Sequence, residues 1–304
     1  MPYLDRVVAP WSAPDIAAAA SPAPPGATAP AAAALASTAD LVPANAPLIT
    51  HRLTRFDIVD TALDVIKAAP GVILGVTAIF LVPFEVVSVA LRRNQLGLDD
   101  VSSSVTSSFL AAVVLRLLTI SFVTFAVTHV LWAWQRGEAP RARSAAAAAV
   151  RRAPGLVLAW VLVHLAEAVA LAAFVVPYLA VAPLLLCTVP VMAVEGRGAT
   201  SAMARSWRLG SRELGLALGG FFLIAVVGAV LLVALSGLSY LTDAIFDALG
   251  WSGGFVVDIA VSFATSMVLV PFAGAAVALV YFDLRVRREG LDLELAADRH
   301  FDAA

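Results

Sequence analysis

The stretch GLVLAWVLVHLAEAVALAAFVVPYLAVAPLLLCTVPVMAV, residues 155–194, decides the fold. His164 and Glu167 are its only imidazole and carboxylate, and it carries no arginine or lysine. As helix, its about forty residues would extend about 60 Å, twice the about 30 Å of a bilayer's hydrocarbon core. Two full crossings follow, with a kinked re-entrant hairpin as the alternative, because Pro183 and Pro190 interrupt the second half. The full crossings are the preferred reading.

Working outward, comparable apolar runs occupy residues 70–91, 109–132, 215–241 and 255–282, giving six spans when 155–177 and 179–194 are counted separately. The 304-residue chain is 61% hydrophobic and 14% charged with a mean hydropathy of +0.91, which excludes an ordinary soluble domain. The expected fold class is therefore all-α, a polytopic transmembrane bundle. A net charge of -2 gives no reason to expect a nucleic-acid partner. A single cysteine, Cys187, rules out an internal disulfide.

Residues 1–50 are rich in alanine and proline, with Pro22, Pro24, Pro25 and Pro30 too close together for a helix. They read as a disordered tail, not a signal peptide, since no basic segment leads into a continuous apolar run. The membrane domain is expected over 51–295, with a short tail at 296–304.

Seventeen of the twenty Lys and Arg residues fall before the first span, between the second and third, between the fourth and fifth, and after the sixth. The positive-inside rule then puts both termini in the cytoplasm. The bias toward alanine, and toward arginine over lysine, suggests a GC-rich bacterial genome and hence a multi-pass protein of the bacterial plasma membrane. Trp132, Trp134, Trp207 and Tyr281 would lie at the inner interface, and Tyr178, Tyr240 and Trp251 at the outer one.

An amphipathic segment introduces each pair of spans. Thr54 is a candidate N-cap for a helix with Asp57, Asp60, Asp64 and Lys67 on one face. Residues 140–152 form the middle copy, with Pro140 suited to a first turn. In 198–214, Ser201, Arg205, Arg208 and Arg212 line one face opposite Met203, Trp207, Gly210 and Leu214. Three units of interface helix plus hairpin are inferred. Gly71-x-x-x-Gly75 and Gly215-x-x-x-Gly219 permit close helix packing.

Two runs carry a family resemblance. They are Val194-Glu195-Gly196-Arg197-Gly198 with Ala204-Arg205-Ser206-Trp207-Arg208-Leu209, and Pro271-Phe272 through Tyr281-Phe282-Asp283-Leu284-Arg285 to Glu294. Over about residues 51–295 the chain resembles actinobacterial membrane proteins with the glycerophosphoryl diester phosphodiesterase membrane domain. The resemblance implies a six-helix plasma-membrane domain, joined in some relatives to a separate soluble phosphodiesterase.

The residues of such a catalytic domain are not expected here. His51-Arg52 is followed by Leu53 where that enzyme's motif has Gly, and His129, His164 and His300 are scattered. One lysine leaves no Walker motif. No catalytic, cofactor or metal site is assigned.

What remains is a candidate polar cluster within the spans: Glu85, Arg116, His164, Glu167 and Asp258, the last continued by Ser262, Thr265 and Ser266. Glu85 and Arg116 sit at matching depths and are expected to pair, and the cluster together could line a cavity in the bundle's outer half. Arg205, Trp207, Arg208 and Arg212 are candidate interfacial lipid contacts. The resulting expectation is a non-enzymatic lipid-handling or lipid-sensing module with membrane lipids as partners. The alternative is a structural subunit docking a membrane-protein partner.

Overall fold

A computed structural model describes the chain from residue 42 to 302, apart from 44, 50, 96–100 and 251–253. Nearly all of the tail expected over 1–50 therefore lies outside the described residues. The described residues form eleven helices: α1 (Arg55–Ala68), α2 (Pro70–Gln95), α3 (Val101–Gln135), α4 (Ala142–Arg151), α5 (Ala153–Ala173), α6 (Val175–Leu185), α7 (Thr188–Glu195), α8 (Ala199–Arg212), α9 (Leu214–Ala248), α10 (Gly254–Glu289) and α11 (Leu291–Asp302). A short helix followed by two long arms recurs from α1, α4 and α8 when α6 and α7 are taken as one broken arm, Val175–Glu195.

Five of the apolar helical segments are long enough to cross a membrane. They become six when Leu214–Val230 is taken with α8, from which it turns by 106°. The chain is an all-helical, multi-pass membrane bundle. Helices α3, α9 and α10 hold 35, 35 and 36 residues, more than 50 Å each at about 1.5 Å per residue. They exceed the about 30 Å core.

The middle hairpin is shorter and its turn lies four residues earlier than the sequence suggested. Helix α5 ends at Ala173 and Phe174, with extended backbone, reverses the chain into α6. Pro177 thus sits in the first turn of α6, where a missing N–H leaves no helical bond unmade. At the hairpin's base Arg152 Nη1 donates to Gly196 O at 3.2 Å. Ala153–Ala173 and Val175–Glu195, 21 residues each, are therefore two arms of about 31 Å. The break at Leu186–Cys187 has a local cause. Pro190 lacks the donor for the carbonyl of Leu186, and its ring crowds that carbonyl, so the helix parts there and resumes as α7.

Thr54 caps α1 as expected. Its Oγ1 accepts from Asp57 N–H at 3.2 Å while Asp57 Oδ2 accepts from Thr54 N–H at 2.8 Å, a reciprocal capping box. Those bonds, the backbone one foremost, hold the Asp57 carboxyl below its ordinary range. Pro140 falls outside α4, which starts at Ala142 and buries Ala145, Ala146, Ala148 and Ala149. Glycines with positive φ, Gly196 at 65° and Gly290 at 66°, close α7 and α10 in the left-handed conformation that other residues enter at a cost.

The glycine pairs behave unequally. Gly75 brings α2 against Ala142 of α4, an ideal Cβ meeting Ala142 Cβ at 3.2 Å. Gly219 does not seat a helix. Its bare face holds the Arg55 guanidinium, which donates to Gly215 O at 3.2 Å and leaves 2.6 Å to an added Cβ. The backbone approaches that glycine permits are elsewhere: Gly274 against Thr124 Cα at 3.2 Å, and Gly210 against Leu184 Cα at 3.4 Å. Helix α10 is the core's axis, with Phe272, Leu279, Tyr281, Phe282 and Leu284 almost fully buried. Helix α11 extends into the short tail expected over 296–304, ending at Asp302.

Candidate functional site

Three sets of polar or cationic residues stand out, and they lie in different parts of the bundle. The first gathers where the short helices meet the ends of α7 and α10. Glu195, the last residue of α7, accepts from Arg205 Nε at 2.9 Å, Arg197 Nε at 2.6 Å and Tyr281 Oη at 3.1 Å. Arg205 continues to Glu289 at 2.5 Å, and Glu289 to Arg285 at 2.9 Å. Beside this network Asp283, wholly buried, accepts from Leu53 N–H at 2.9 Å and Arg287 Nε at 2.9 Å. Arg287 Nη2 returns to Leu53 O at 2.6 Å. Gln135 similarly reads the backbone of the preceding segment, accepting from Ile49 N–H at 2.9 Å and donating to Pro47 O at 3.1 Å.

This network was not anticipated, although its members lie in the two runs that carry the family resemblance. Helical period put Arg205 on a cationic stripe. It could not show that Glu195 and Glu289 stand on that side of α8. Arg205, expected as a lipid contact, is instead closed into this network, its side chain 19% exposed and ion-paired to both Glu195 and Glu289. Arg212 is exposed, and its carbonyl accepts from Arg288, which also pairs with Glu213 at 2.8 Å.

The second set is the outer face of α8. Ala202, Ser206 and Leu209 bury against the bundle, Ser206 Oγ donating to Leu184 O at 2.7 Å. On the next face Met203, Ala204 and Trp207 meet Ala166, Val169, Ala170 and Ala173 of α5 and Val181 and Leu185 of α6 around an apolar groove of about 500 Å³. Trp207 is 43% exposed, and Arg208 follows it, exposed.

The third set is the cluster expected within the spans, which divides. Arg116 donates through Nη2 to Ser266 Oγ at 2.8 Å, and that hydroxyl directs its own proton to Ser262 O at 2.8 Å. The expected Glu85–Arg116 ion pair is not among those of the described residues. The physical reason is that α3 presents Arg116 to the serine stripe of α10, an acceptor already oriented for it. Glu85 is buried on α2 at 6% exposure. The Asp258 side chain lies outside the described residues. His164 and Glu167 instead line a separate cavity of about 170 Å³ with Ser121, Trp160, Thr188 and Phe221. His164 Nδ1 faces Trp160 O at 2.9 Å, and the two rings pack at 4.7 Å.

No known protein family, curated protein or solved structure matches the chain.

Proposed function

We propose that this protein is a non-enzymatic lipid-handling module of the bacterial plasma membrane, with both termini cytoplasmic. The observation that carries the reading is the groove beside α8. One edge of that helix offers Met203, Ala204 and Trp207 to an apolar trough, and the adjoining edge offers Arg208 and Arg212. An acyl chain fits the first and a phosphate the second. Hydrocarbon burial holds the chain, while each exposed basic residue near an anionic surface adds about 1 kcal/mol. The arginine asymmetry supports the orientation, because the basic loops share the end that holds α1, α4 and α8. The resemblance to glycerophosphoryl diester phosphodiesterase membrane domains supports the same assignment to a membrane module.

Native mass spectrometry tests this. The full chain, released from nanodiscs of mixed phosphatidylglycerol and phosphatidylcholine, should retain phosphatidylglycerol. The double variant Trp207→Ala, Arg208→Gln should lower the retained fraction about tenfold, a loss of about 1.4 kcal/mol in binding. Equal retention by both proteins would sink the reading.

One observation favours a second reading, a subunit of a larger membrane assembly. The last dozen or so residues of α9 run past the about 30 Å that the core requires, and there Leu241, Ile245 and Leu249 recur at i, i+4 and i+8, all exposed. An apolar stripe facing water is a surface for another protein. Copurification of a stable partner lost on Ile245→Glu would support it.

A further inference from the structure

The cavity lined by His164 and Glu167 shares Leu185 with the lipid groove but is otherwise lined by different residues, and its hydrogen-bonding inventory favours acceptors. Ser121 Oγ directs its proton to Leu117 O at 3.3 Å, and Thr188 Oγ1 directs its own to Leu185 O at 2.6 Å. A carbonyl oxygen only accepts, so His164 Nδ1 must be the protonated nitrogen toward Trp160 O. In the neutral imidazole that leaves Nε2 as an acceptor. Glu167 adds a carboxylate that enters no ion pair among the described residues. Against these acceptors stand the hydroxyl of Thr124, which also lines the cavity, and the indole N–H of Trp160, which is buried and makes no hydrogen bond among the described residues.

The cavity also sits deep. Trp160, His164 and Glu167 occupy the eighth to fifteenth positions of the 21-residue α5, about the middle of the membrane. A carboxylate held there calls for a countercharge. We propose that this cavity binds a small primary alkylammonium. Three N–H donors meet Glu167, His164 Nε2 and a hydroxyl oxygen, the alkyl part lies on Ile120 and Leu185, and Trp160 and Phe221 complete an aromatic lining. The volume of about 170 Å³ suffices, since a protein cavity of about 150 Å³ accepts benzene.

Calorimetry on the full chain in phosphatidylglycerol nanodiscs, with empty discs subtracted, tests this with butylammonium chloride. Saturable binding is expected, weakened about tenfold or more by Glu167→Gln and kept within about threefold by Glu167→Asp. The neutral comparator 1-pentanol should show no saturable site. Undiminished binding to Glu167→Gln, equal saturable binding of the alcohol, or no saturable heat with the wild type would each overturn the proposal. The alcohol comparison needs only the wild-type chain, so it decides the matter even where Glu167→Gln fails to fold.

Discussion

The charges where the short helices gather and the charges inside the hairpin cavity follow opposite rules. Around Glu195, Arg205 and Glu289, and again around Asp283 and Arg287, every ionised group meets an opposite charge or a backbone dipole of the protein itself. Around His164 and Glu167 the side chains present acceptors and few donors. The first arrangement consumes its own hydrogen-bonding capacity and fixes how α7, α8, α10 and the segment before α1 meet. The second leaves capacity unspent. Charge that has found protein partners therefore builds this fold, and charge that faces a cavity is available to a guest.

That contrast can be broken most forcefully at Asp283. Asp283→Ala leaves Arg287 and the Leu53 amide without their shared acceptor, and removing one partner of a buried pair costs about 3–5 kcal/mol. A fall in midpoint temperature of the detergent-solubilised chain checks it, and an unchanged midpoint would mean the network is ornamental. Gly219→Val comes next. Its side chain would occupy the space of the Arg55 guanidinium, so a loss of about 1–3 kcal/mol is expected in the same assay, and the additional change Arg55→Ala should recover most of it.

Smaller effects sharpen the picture. Thr54→Ala removes the α1 cap and should cost about 1 kcal/mol. Because the Asp57 carboxyl is held low by the same cap, the stability it adds is complete above the ordinary carboxylate range. It fades as pH falls through the lowered native value. Melting curves of wild type and Thr54→Ala should thus converge at acid pH. Least of all, Glu167→Gln should change stability by less than about 1 kcal/mol, because the side chain enters no ion pair among the described residues. A loss as large as that at Asp283 would erase the distinction between the two regions.

The sequence was legible wherever one dimension suffices. Run length and hydropathy located the spans, local spacing located the Thr54 cap, and arginine counts grouped the loops. Proline chemistry was legible in part: Pro190 interrupts the second arm as its position suggested, whereas Pro177, read as the end of the preceding span, lies in the first turn of α6. What periodicity could not supply was the identity of the facing neighbour. Arg205 and Arg208 lie on one stripe of α8, yet one is closed into ion pairs and the other open to the surroundings, because Glu195 and Glu289 approach from a single side. Glu85 and Arg116 matched in depth, which is necessary for contact, but depth alone could not single out Ser266, to which Arg116 donates.

The most direct measurement of the difference between the two regions is collisional accessibility of spin labels in a Cys187→Ala background. One label goes at Leu165→Cys, exposed at the level of the cavity, and the other at Arg208→Cys on α8. Expected is relaxation dominated by oxygen at 165, as in the bilayer's middle, and by a water-soluble nickel chelate at 208. Nickel accessibility at 165 equal to that at 208 would show that the hairpin cavity faces water, contradicting both the depth assigned to Glu167 and the separation of the two regions.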